Sequence, residues 1–147
     1  MDKIFTFIIN KNKELLLLKG SSNDPQFHRS FWYVVTGGKE EKDKNLEETV
    51  TREVKEETNL DVKKVKYLNW IFKYTSLGKE CIEYVYISLV DDNDIVLNEE
   101  SVDYKWCDIN KFIDLIEWNG DKAELKEVLE YAVNWNVYFK EEKTINV

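Results

Sequence analysis

Apolar residues fall in short runs along the first two thirds of the chain. Residues 4–9 (IFTFII) and 15–18 (LLLL) are runs of strand length, and the Asn-Lys-Asn-Lys segment at 10–13 reads as the turn of a hairpin. Residues 31–36 (FWYVVT) are aromatic and β-branched and predict a further strand. It runs directly into Gly37 and Gly38, where a backbone without side chains can approach another group closely. Residues 62–74 and 81–90 predict two more strands, linked by a turn at 75–79. In the second, Ile82, Tyr84, Tyr86 and Ser88 alternate with Glu83, Val85, Ile87 and Leu89, so apolar groups fall on both faces and the strand is expected to be covered on both sides. Glu83 is expected at a strand end in solvent, with a place in the site as the alternative. Residues 91–94 read as a solvated turn, and residues 95–97 as a short strand.

Three segments carry a helical pattern. Residues 46–59 are rich in Leu, Glu, Lys and Arg and hold neither Gly nor Pro. Asn45 is their expected N-cap, Glu48 its capping-box partner, and Asn59 the left-handed residue that ends the helix. Asp108 is expected to cap a helix to about residue 116, and Asp121 a last helix over 122–136. In the last, Leu125, Val128, Leu129, Ala132 and Val133 form one packing stripe. The tail from residue 138 is expected to be peripheral. Strands with one early helix and two late ones predict an α+β or mixed α/β fold. No internal repeat or linker is visible, so one domain over 1–147 is expected.

Composition narrows the partners. The chain has 147 residues, five Trp, eight Tyr and little Gly or Pro, which suits a folded core rather than disorder. Its net charge of -8, with no basic run, argues against a nucleic-acid polymer as partner. A small phosphorylated ligand remains open, because bound divalent metals neutralise phosphate locally. Cys81 and Cys107 lack metal-ligand spacing and are expected to be buried, reduced thiols. No apolar run approaches membrane-spanning length and no leader is read, so a cytoplasmic protein without membrane contact is expected.

The chemistry concentrates on the first helix. Leu46, Val50 and Val54 form its apolar stripe; Glu53 and Glu57 fall on the same side, and Glu56 lies beside Glu53. Like charges at i,i+3 and i,i+4 repel, burial makes this worse, and the C-terminal end of a helix disfavours anions. Two readings follow: a solvated acidic face, or a site for a hard cation such as Mg²⁺ or Mn²⁺. The lone His28 is read as a surface or structural residue.

Gly38, Arg52-Glu53-Val54-Lys55-Glu56-Glu57 and Leu60, at this spacing, resemble the Nudix box G-x5-E-x7-R-E-U-x-E-E-x-G-U, where U is aliphatic. Lys44 stands where the family has Glu, and Asn59 where it has the second Gly. The resemblance implies an α/β/α sandwich around a mixed β-sheet and a Mg²⁺-dependent hydrolase, Mn²⁺ being the alternative ion. It also implies Glu53, Glu56 and Glu57 as metal ligands, with a backbone carbonyl at Gly38, and Arg52 as a group that orients a glutamate. Glu100, six residues before Trp106, is the further family carboxylate, with Glu99 as alternative; one of the four glutamates is the general base.

F-W-x-x-V-T-G before the box and Y-K-W-x-D after it are similar to dihydroneopterin triphosphate and dATP pyrophosphohydrolases. This implies a nucleoside or pterin triphosphate cut to monophosphate and pyrophosphate. Arg29, Lys19 and Lys39 are the candidate phosphate-side residues. Trp32, the first candidate, Tyr33 or Phe72 could stack a ring, though core packing is the ordinary role of any one of them. Two rival functions are a dinucleoside polyphosphate or ADP-sugar hydrolase, and a non-catalytic nucleotide-binding module for which Lys44 and Asn59 are the only support. The partner expected is a small phosphoanhydride substrate, and the assembly a monomer or homodimer.

Overall fold

The computed structural model describes residues 1–21 and 30–147. Among these, eight strands form one sheet: β1 (Asp2–Ile9), β2 (Leu15–Gly20), β3 (Trp32–Tyr33), β4 (Val35–Gly38), β5 (Val62–Ser76), β6 (Lys79–Val90), β7 (Ser101–Cys107) and β8 (Lys143–Asn146). Three helices flank it: α1 (Leu46–Thr58), α2 (Ile109–Leu115) and α3 (Lys122–Ala132). The sheet order is β3-β2-β1-β6-β5-β8, with β4 on β1 and β7 on β2. The sheet is mixed, because β1 runs parallel to β6 and β5 to β8 while the other pairs are antiparallel.

Alternation along the central strands builds the two layers. Ile4 and Ile8 of β1, Leu16 and Leu18 of β2 and Tyr86 of β6 pack with Val50 and Val54 of α1. Phe5, Phe7, Leu15, Leu17, Val85 and Ile87 point the other way, onto Phe112 of α2 and Leu125, Val128 and Leu129 of α3. Each strand therefore buries both faces, as the two-sided pattern of β6 predicts. A chain of edge-on aromatic contacts, Phe5–Phe72 at 6.1 Å and Phe72–Trp118 at 5.8 Å, continues the α2/α3 layer toward one end of the sheet.

Helix α1 forms where its caps place it. The Asn45 side chain accepts from the Glu48 N–H at 2.9 Å, and Asn59 closes the helix at φ 68°. Glu48 reaches back one residue further than a capping box would, accepting from the Lys44 N–H at 3.1 Å.

Four expectations change. The strand over 31–36 is two strands, because β3 pairs with β2 while β4 pairs with β1. Residues 95–97 form no strand. The last helix ends at Ala132: Trp135 takes φ 63°, and the Trp135 and Asn136 N–H groups bond back to the carbonyls of Ala132 and Tyr131, a left-handed termination. The tail is not peripheral, since β8 extends the sheet beside β5 and Phe139 packs on Trp70 at 5.4 Å. Both cysteines are buried free thiols, and among the described residues no helix is long and apolar enough to cross a membrane.

Candidate active site

The Gly37-Gly38 strand end and α1 pack against each other, and the reason is steric. A Cβ on Gly37 would overlap the Glu53 carboxyl, so the absence of a side chain at 37 lets the helix bring Glu53 onto the backbone. Arg52, on the same turn, gathers the surrounding groups. Its Nη1 donates to Glu53 Oε1 at 2.9 Å and to Glu56 Oε2 at 3.3 Å; its Nη2 donates to the Gly38 carbonyl at 3.0 Å. The Gly38 carbonyl thus already serves Arg52, keeping one lone pair for another partner.

The far side of the Arg52 fork rests on a residue that the sequence did not reveal. Asp43, buried at 4% exposure, receives Arg52 Nε at 3.1 Å and Nη2 at 2.9 Å. It also accepts from the Thr49 hydroxyl at 3.0 Å and the Glu40 N–H at 2.9 Å. Those bonds, Arg52 foremost, hold its carboxyl well below the usual carboxylate range. Lys44, beside it, is exposed. The signal was available: Arg52 needs an anionic partner, position 44 offers none, and the adjacent residue is an aspartate.

Glu57 lies on the buried side of α1, 7% exposed, and its Oε2 has no hydrogen-bond partner among the described residues. Burial first, then the charges of Glu100, Glu53 and Glu56, push its carboxyl up to about 10. Burial also raises Glu53, opposed by its hydrogen bonds with Glu57 and Arg52. A buried carboxyl with one unpartnered oxygen, beside three others, is an unfavourable arrangement for the protein alone. Hard oxygen donors in this number suit a divalent cation such as Mg²⁺ or Mn²⁺. As they stand, no three acidic side chains among the described residues converge on one point, and Arg52 holds Glu53 and Glu56 turned toward itself.

A pH dependence follows. Glu57 has a folded value above its ordinary 4.5, so its contribution to stability is complete below that pH and is lost as pH rises toward 10. The metal-free protein is expected to lose melting temperature steadily from about pH 5 to 9, and Mg²⁺ to restore more of it at the higher pH. Thermal melts in EDTA and in Mg²⁺ across that range check this; a melting temperature independent of both would contradict the buried acidic cluster.

Glu57 opens onto a cavity of about 540 Å³ on the α2/α3 side of the sheet. Its described lining includes the acids Glu57, Glu83, Glu100, Glu117, Asp121 and Glu124 against a single lysine, Lys3. Glu100 stands exposed on this wall, while Glu99 does not line it. Phe72 and Tyr33 form part of the aromatic wall.

Three expected substrate residues are not on this cavity. Trp32 has its ring face occupied by the ammonium groups of Lys19 at 5.9 Å and Lys105 at 5.4 Å, and Lys39 is exposed at the turn after β4. None of Lys19, Trp32 and Lys39 lines it. Arg29 and His28 lie outside the described residues. Glu83, expected in solvent, is buried at 7% exposure, because position 83 belongs to the alternation that points into the α2/α3 layer. Its Oε2 accepts from the Tyr74 hydroxyl at 2.9 Å.

Comparison with known proteins bears on this arrangement. A model of the NUDIX domain matches residues 2–129. The NAD-capped RNA hydrolase NudC of Mannheimia succiniciproducens is 29% identical over 102 residues, which are 67% of this chain but 36% of that protein; the chain thus matches only about a third of that relative's length. Among solved structures, a NUDIX-hydrolase-type protein of Listeria monocytogenes is 25% identical with a TM-score of 0.71, covering 91% of this chain and 95% of its own. The MutT protein of Methanosarcina mazei is 24% identical with a TM-score of 0.66, covering 91% and 92%.

Proposed function

The chain belongs to the NUDIX domain family, and on that premise we propose that it is a divalent-cation-dependent hydrolase. Its substrate is a nucleoside or pterin triphosphate, cut within the phosphoanhydride chain to monophosphate and pyrophosphate. The observation that carries this reading is Glu57, a buried carboxyl with an unpartnered oxygen at the floor of an acidic cavity. A polyphosphate has no cationic counterpart in that described lining beyond Lys3, so it enters with a cation.

Glu53, Glu56, Glu57 and Glu100 are the residues that would hold the ion, with the spare lone pair of the Gly38 carbonyl. When bound, such an ion neutralises phosphate charge and makes its bound water more acidic. Arg52 keeps Glu53 and Glu56 together on one side of the helix. Glu100 lines the cavity outside the grip of Arg52, which supports it as the carboxylate that would accept a proton from attacking water. The buried floor around Glu57 excludes bulk solvent, which strengthens every charge interaction inside it.

The test is product identity across a panel of triphosphates (pterin and nucleoside), diadenosine polyphosphates and ADP-ribose with Mg²⁺. Pyrophosphate release from a triphosphate is expected. Turnover of the dinucleotides or ADP-ribose alone would keep the chemistry and discard the substrate class. Tight nucleotide binding without any turnover would favour the non-catalytic module.

A further inference from the structure

The hydrolytic reading gives no role to Glu83, which lies where the cavity is built on the sheet. There Lys3 of β1, Glu83 of β6 and Phe72 of β5 stand abreast in the strand register, in line with Gly38 of β4. Tyr33 and Trp118 complete its aromatic wall. Such walls favour a flat ring over a flexible chain.

Glu83 is the unusual member. A carboxylate buried to 7% exposure needs several donors, and an ionised one accepts at about four lone-pair positions. One is taken by the Tyr74 hydroxyl at 2.9 Å. Lys3, its neighbour in the ladder, holds its ammonium over the Tyr74 ring at 5.8 Å. Nearby on the same lining, the Trp70 indole N–H is buried with no hydrogen-bond partner among the described residues. The site thus offers a carboxylate with acceptor positions to spare between aromatic faces.

We infer that this part of the cavity recognises a planar heterocycle whose edge presents a ring N–H between an exocyclic amino group and a carbonyl, the edge shared by guanine and pterins, with Glu83 as its specificity-determining residue. The carboxylate accepts from the N–H and the amino group together. Adenine and cytosine set a lone pair beside their amino group and turn it on the carboxylate; uracil turns a carbonyl. A site built around such a pair rejects rings that leave it unpaired far more strongly than a merely apolar slot does. The inference rests on the hydrolytic reading only for the part that the phosphates occupy.

Calorimetric titration in EDTA with guanosine, neopterin, adenosine and uridine tests it without metal, phosphate or turnover. Guanosine or neopterin is expected to bind at least about tenfold more tightly than adenosine and uridine, and Glu83→Gln to erase the difference. Preference for guanosine marks a nucleotide substrate, and preference for neopterin a pterin. Phe72→Leu, which removes stacking and not the acceptor, is expected to weaken every ring and keep their ranking. A thermal melt of Glu83→Gln guards against a folding defect. In hydrolysis assays the Glu83→Gln loss is expected to fall on KM more than on kcat for the preferred ring. Equal affinities in the wild type, no binding of any ring, or a preference that survives Glu83→Gln would overturn the inference. Ring-selective binding with no hydrolysis of any triphosphate would keep it and remove the hydrolytic reading. Hydrolysis without ring preference would do the reverse.

Discussion

Replacing Glu57 by Gln is expected to abolish turnover, a loss on the order of 10³-fold or more in kcat, while the fold survives. Glu57 is a buried carboxyl whose second oxygen finds no partner among the described residues. Three other glutamates act on it electrostatically. Nothing among the described residues requires its negative charge; a bound cation would. The amide keeps the volume and removes the charge, so the metal-free variant is expected to melt no lower than the wild type at pH 8 and to lose the Mg²⁺-induced rise in melting temperature. Initial rates and thermal melts, with and without Mg²⁺, read out both halves. A rate within threefold of wild type would remove Glu57 from the site.

Asp43→Asn is expected to cost about 10–100-fold in activity, with the half-saturating Mg²⁺ concentration rising in step. Asp43 touches no part of the cavity. It acts through Arg52, whose Nε and Nη2 it holds while Nη1 aligns Glu53 and Glu56. Loss of its charge lets the guanidinium swing and takes the alignment of both glutamates with it. Lys44→Glu is the contrasting substitution. It restores the family residue at an exposed position while Arg52 is already paired, and it is expected to leave rate and Mg²⁺ dependence near the wild-type values. A large gain from Lys44→Glu, or full activity in Asp43→Asn, would show that Asp43 is not the anchor.

What the sequence made legible was local. The bounds of α1 follow from Asn45, Asn59 and an unbroken run of helix formers, and the side on which Glu57 lies follows from the stripe of Val50 and Val54. The two-layer burial of β1, β2 and β6 follows from apolar residues at both parities. The rest depended on partners far away in the chain. Residues 31–36 look like one strand, yet their two halves pair with different neighbours. β8 is only four residues long and is held by β5 and the Phe139 contact rather than by its own pattern. Asp43 sits in a charged loop where each residue looks solvated, and only the placement of Arg52 distinguishes it. The aromatic part of the cavity draws Tyr33, Phe72, Glu83 and Trp118 from four separate segments, so no spacing in the sequence marks it. Trp32 illustrates the converse: its aromatic ring before the glycines suggested stacking, but two lysines already cover it.

The proposed role of the α1 carboxylates is to hold the divalent cation that makes phosphoanhydride hydrolysis possible. It is tested most directly by following pyrophosphate release from the best triphosphate in Mg²⁺, adding excess EDTA during the steady phase, and then restoring Mg²⁺. Release that stops with EDTA and resumes with Mg²⁺ in the wild type, and is missing throughout in Glu57→Gln, is the predicted result. Release that continues unchanged through EDTA, or proceeds equally in Glu57→Gln, would contradict the account.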